Sequence, residues 1–209
     1  MYVPKHFAAP SDAAVHELLS RAAACDLVTW DGQGMVATTL PLLFDPSAGA
    51  AGALVGHVAR NNVQWRHTGS EALTIVRGPD AYVSPSAYAT KREHGRVVPT
   101  WNYITAHVYG TLVAHDDPAW TEDLVRRLTE RHEADRPEPW SVDDAPRAFV
   151  EGQLRAIVGI EIVITRVEAK WKLSQNRSAE DVAGVRDDLR AAHRGSEAER
   201  QVAAAMEVS

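Results

Sequence analysis

Cysteine is nearly missing from this chain: Cys25 stands alone, so no internal disulfide can form, and a reducing, cytoplasmic setting fits best. With no second Cys and no paired His beside it in sequence, Cys25 reads as a small buried hydrophobe. No stretch approaches the roughly 20 apolar residues of a membrane-spanning helix. The opening Met1-Tyr2-Val3-Pro4-Lys5-His6-Phe7 lacks the basic-then-apolar pattern of a signal peptide. Positive charge is not in excess either. The formal net charge is −6, and neither a long basic run nor a helix-turn-helix pattern occurs. Phosphate-backbone binding depends on clustered Lys and Arg, so direct DNA binding is not expected. Zinc-ligand spacing, a Gly-rich phosphate loop and a nucleophile elbow are also absent.

What is present is an ordinary globular composition over 209 residues, enough for one substantial core. Ser11-Asp12 cap a helix whose apolar spacing (Val15, Leu18, Leu19, Ala22) runs to about Cys25. The period then changes. Leu27 to Trp30, a turn at Asp31 to Gly34, and Met35 to Phe44 read as a β-hairpin. Ala53 to Val58 is a short strand, and a brief helix is expected from Ala59 to Arg66. Leu73 to Arg77 and Ala81 to Ser84 read as strands on either side of a Gly78-Pro79-Asp80 turn. From Val97 to His115 the alternation is longest, with Trp101, Tyr103, Thr105, His107 and Tyr109 on one face and Ile104, Ala106 and Val108 on the other. Helices follow at Asp117-Pro118 and around Phe149, then a β-branched strand from Gly159 to Lys172. The pattern predicts a mainly β (α+β) fold, an antiparallel barrel with peripheral helices. One domain over 1–177 and a helical extension over 178–209, packing on it, are expected.

Four segments carry residues suited to chemistry. At Gly56-His57 to Trp65-Arg66 a strand gives way to a helix, so backbone N–H groups beside Arg60 and Arg66 suit a phosphate or carboxylate. His57 offers an imidazole for a hydrogen bond or an iron. Gly78-Pro79 to Ser86, with Tyr88, combines a rigid turn with aromatics. Val98-Pro99-Thr100-Trp101-Asn102-Tyr103 supplies flat rings and, in Asn102, an amide that both donates and accepts. Lys170 to Arg177 sets two lysines (Lys170 and Lys172), Arg177 and the two amides of Gln175 and Asn176 close to Trp171, a set suited to anions and amides.

In this order, and with the opening Met1 to Phe7, these segments resemble the PaiB family, whose members are described as FMN-binding negative transcriptional regulators. The resemblance covers roughly residues 1 to 177. It implies a split β-barrel of the FMN-binding type and a homodimer with two cofactor sites at the subunit interface. Thr39, Leu40, His57, Arg60 and Asn61 would contribute to the site, as would Trp101, Asn102, Lys172, Ser174, Gln175 and Arg177. One departure stands out: the family commonly has a histidine before the Leu-Pro of its second strand, and here Thr39 precedes Leu40-Pro41.

The same family includes haem-dependent enzymes similar to the piperazate synthases, which form an N–N bond by cyclising an N-hydroxylated ornithine. That likeness makes His57 the axial iron ligand of haem b, with an amino-acid-derived substrate on the open face. The tail Gly195-Ser196-Glu197-Ala198 resembles these enzymes, whereas Glu93-His94-Gly95-Arg96 resembles the wider family. The resemblance thus implies either an FMN-binding regulator or a haem enzyme, with FMN or haem b as cofactor.

Overall fold

The computed structural model describes residues 1–191 and 196–207. Helix α1 (Asp12–Arg21) leads into strands β1 (Ala24–Trp30), β2 (Met35–Pro41), β3 (Leu43–Asp45), β4 (Ala53–Ala59) and β5 (Glu71–Val83). A short α2 (Lys91–His94) precedes β6 (Thr100–His115), α3 (Pro118–Glu133), α4 (Arg147–Arg155), β7 (Ile157–Lys172), α5 (Ala179–Arg190) and α6 (Glu197–Ala205). The strands form one seven-stranded antiparallel sheet in the order β2-β1-β5-β6-β7-β4-β3, flanked by helices, which is the split-barrel type. No helix among the described residues is long and apolar enough to cross a membrane.

Two compact units divide the chain, one of 1–18, 77–107 and 168–209, the other of 19–76 and 108–167. In the first, α5 and α6 close an apolar core: Val185, Leu189, Val202 and Met206 pack with Val83, Tyr88, Ile104, Trp171 and Leu173. Such a core suits the amphipathic, capped helices that the tail sequence encodes, with Ser178 and Ser196 accepting from the N–H groups of Asp181 and Glu199. In the second unit, Leu124 and Leu128 of α3 pack with Leu43, Ala53 and Val55.

Several elements differ from the sequence expectation. Helix α1 stops at Arg21, and Cys25 belongs to β1, where it pairs with Leu40. Cys25 is buried, and burial, then the charge of Asp26, pushes its thiol up to about 11, so it is unreactive. Gly78-Pro79-Asp80 is no turn but the middle of a continuous β5. A Cβ at Gly78 would lie 2.9 Å from Cβ of Ile104, so the glycine serves a close strand–strand approach. The brief helix expected after β4 is a 3-10 turn, Val63–His67, started by the Asn62 side chain accepting from Gln64 N–H. Gly195 of the tail lies outside the described residues.

Candidate functional site

In the first unit, the end of β7 and the start of β6 bring cations and rings together. Lys170 and Lys172 alternate with buried Trp171 and so share one face of β7. The Lys170 ammonium lies 5.5 Å from the Tyr103 ring centre and 5.8 Å from those of Tyr2 and Phe7. Lys172 sits 5.8 Å from Tyr103 and 6.0 Å from Phe7. Arg177 stacks its guanidinium 5.0 Å over the Tyr88 ring. Burial, then the like charges of Lys170 and Arg177, holds the Lys172 amine below the usual lysine range. Among the described residues no carboxylate forms an ion pair with any of the three. Trp101 is 53% exposed and meets Tyr82 edge-to-face at 6.0 Å. The N-terminal segment runs alongside: Ala8 bridges to Lys170, and Lys170 donates to the Tyr2 carbonyl at 3.2 Å.

The amides and hydroxyl of the same motif have another task. Asn102 is fully buried and accepts from the Ser174 hydroxyl at 3.0 Å. Ser174 takes a left-handed backbone, φ +68°, uncommon for a residue with a side chain. Gln175 accepts from Leu173 N–H at 2.8 Å and donates to the Trp171 carbonyl at 2.7 Å. These side chains therefore hold the turn that delivers Arg177. Sequence reasoning assigned them to a cofactor; their polar atoms are engaged by the protein itself. Lys170, part of the same sequence segment, is placed beside Lys172 by the alternation with buried Trp171.

In the second unit, Arg60 is committed. It donates to both oxygens of Asp116 at 2.9 and 2.6 Å, and to the carbonyls of Arg155 and Ile157. The backbone donors near it are engaged too: Arg60 N–H with the Ala156 carbonyl and Asn62 N–H with that of Ala59. Asn61 is exposed and Leu40 is core. Thr39 donates its hydroxyl to Asp26 at 2.6 Å. His57 is half-buried, and burial pulls its imidazole below the usual range, favouring the neutral form. Its Nδ1 is buried without a hydrogen-bond partner among the described residues. His57 pairs across the ladder with Gly159, and the Trp120 indole presses on Gly159 where a Cβ would stand. Paired residues share a sheet face, so the His57 side chain and the Trp120 ring lie on the same side. His115 stacks flat on Trp120 at 4.0 Å and bonds Glu161 at 2.8 Å. No group of three or more metal-binding side chains occurs among the described residues.

Residues 1–166 match the family model described as "Putative FMN-binding domain". The chain is 33% identical over 191 residues to Protease synthase and sporulation protein PAI 2 of Bacillus subtilis, covering 90% of this chain and 89% of that protein. Among solved structures it is similar in fold to the flavocytochrome Anf3 of Azotobacter vinelandii, with a TM-score of 0.57 at 13% identity over 87% of this chain and 78% of that one. An FAD- and haem-binding protein of Mycobacterium smegmatis gives 0.55 at 17% identity over 84% and 78%.

Proposed function

Because the chain belongs to the FMN-binding-domain family, we propose that it binds FMN through the cations at the end of β7 and acts as a homodimer. One observation carries this reading: Lys170, Lys172 and Arg177 approach one another with no ion-paired carboxylate among the described residues, and Lys172 bonds the carbonyl of Trp101, whose exposed ring meets that of Tyr82. A phosphate would relieve their mutual repulsion with charge-assisted hydrogen bonds. The rings give a flat ligand a stacking surface. Bound there, FMN supplies electron transfer. The chain's own residues anchor the phosphate and, through the Asn102–Ser174–Gln175 turn, fix the position of Arg177.

FMN is preferred to haem b on the surroundings of His57. A haem-ligating imidazole ordinarily donates its second ring nitrogen to an acceptor that fixes the ring. His57 Nδ1 has no such acceptor among the described residues, and the Trp120 ring shares its side of the sheet. We read any regulatory role as exercised through the flavin and protein contacts, since the net charge of −6 disfavours a DNA-reading surface.

The dimer proposal rests on the β1–β2 hairpin. Trp30 faces Met35 and Val28 faces Ala37, with Val28 also opposite Leu73 of β5. Trp30 and Met35 are 53% and 74% exposed. Apolar side chains on one sheet face, open to water, mark an interface.

Titration of the purified chain with FMN and with riboflavin, which lacks the phosphate, tests the reading. FMN should bind more tightly, and Arg177→Met should weaken FMN by about ten- to a hundredfold, as loss of a charged hydrogen bond worth roughly 1.5–3 kcal/mol implies. Riboflavin binding should change little. Equal affinities for the two flavins in the unmodified protein would overturn the assignment.

A further inference from the structure

The chain holds four lysines against eighteen arginines, and two of those four are Lys170 and Lys172. Arginine does the ion pairing elsewhere, as in Arg60 with Asp116, Arg126 with Asp143 and Arg127 with Asp45. Lys172 is placed differently. Its Nζ donates to the Thr100 hydroxyl at 2.7 Å and to the Trp101 carbonyl. A neutral amine has two hydrogens and one lone pair. With both hydrogens held by those acceptors, the lone pair takes the remaining tetrahedral direction. The protonated form would carry its third hydrogen there, under the repulsion of Lys170 and Arg177 and with no ion-paired carboxylate among the described residues.

We propose that Lys172 is a nucleophilic amine that forms an imine with an aldehyde bearing a phosphate or carboxylate. The inference rests on the anion site proposed for FMN and adds a covalent step to it. Lys170 and Arg177 hold the anionic group, and the rings of Tyr103 and Trp101 flank the body of the ligand. The Nζ lone pair attacks the carbonyl carbon. A C–N double bond replaces the C–O double bond, and the oxygen leaves as water with the two amine hydrogens. Nothing is oxidised or reduced. Burial and the neighbouring cations favour the neutral, attacking amine, the same two effects that activate lysine nucleophiles in general.

The lysine count makes the test clean. The full chain is incubated with pyridoxal 5′-phosphate, an aromatic aldehyde carrying a phosphate, then reduced with borohydride and mapped by peptide mass spectrometry. Pyridoxal, without the phosphate, is run in parallel. The expected result is one dominant adduct at Lys172, formed faster near neutral pH than at the exposed Lys5 and Lys91, because a lowered pKa raises the share of neutral amine. FMN or inorganic phosphate should suppress it, and Arg177→Met should move the pH midpoint of labelling upward. Lys172→Arg, which keeps the charge and whose folding circular dichroism verifies, should abolish it. Labelling of Lys172 no faster than of Lys5 and Lys91 overturns the proposal. FMN binding that survives such a result leaves the flavin reading standing alone. Equal labelling by pyridoxal and its phosphate overturns the anionic assignment, and the shared anion site with it.

Discussion

Replacing Gly159 by alanine tests how tightly the second unit is packed around His57. An added methyl would overlap the six-membered edge of the Trp120 indole, whereas carbon atoms need about 3.5–4.0 Å. The ring has little freedom to withdraw. His115 stacks on it at 4.0 Å with planes 7° apart, Glu161 holds His115, and Trp120 packs against the Leu43–Val55–Leu124 cluster. Overpacking of a well-filled site costs about 1–3 kcal/mol. Alanine's smaller backbone entropy loss offsets about 0.5–1 kcal/mol of that. A net loss near 1–2 kcal/mol should lower Tm by roughly 2–8 °C in a chain of this size. Melting curves for Gly159→Ala would be measured alone and in a Trp120→Ala background. Removing the indole leaves only a 3.2 Å approach to the His115 carbonyl, so the glycine substitution should then cost much less. An equal Tm loss in both backgrounds would refute the account, because the clash could not then be the cause.

Protonation of His57 gives a second expectation. Burial lowers its folded pKa, so the unfolded chain takes up the proton first. Its contribution to stability is therefore full above the ordinary value near 6.5 and is lost as pH falls from there towards the folded pKa. His57→Gln should flatten that part of a stability-against-pH curve relative to the unmodified protein, and an unchanged slope would count against it. At the hairpin, Trp30→Glu with Met35→Glu should turn a dimer into a monomer by light scattering at micromolar concentration, and a monomeric unmodified chain would sink the interface. DNA binding should be weak, non-specific and salt-sensitive; tight retention of one promoter fragment at physiological salt against competitor DNA would contradict this.

Much of the fold was legible because the strands carry their period openly. In β6 the alternation places Asn102, Ile104, Ala106 and Val108 inside and leaves Trp101, Tyr103 and His107 on the more open face. The errors came where a residue type serves two purposes. Gly78-Pro79-Asp80 has turn composition, yet its glycine is required by the approach of Ile104, a contact between segments far apart in sequence. Ala22 to Cys25 continues the helical apolar spacing, but pairing with Leu40 and Pro41 claims Ala24 and Cys25 for the sheet.

The candidate site stands out in the sequence through its charges, while its amides prove to be engaged within the fold. Lys172 and Arg177 stand out in a short segment because clustered cations are costly unless an anion uses them. Asn102, Ser174 and Gln175 look equally suited to a ligand, and only the fold reveals that they bond one another and the turn backbone. Arg60 shows the same limit, since Asp116, 56 residues away, is what neutralises it. Local sequence identifies groups able to bind, but whether a group is available depends on partners brought by distant strands. Lys172 illustrates the point most sharply. Its acceptors at Thr100 and Trp101 come from another strand, its repelling neighbours from its own strand and the following turn. A lysine that reads as one more positive charge thereby gains a directed lone pair.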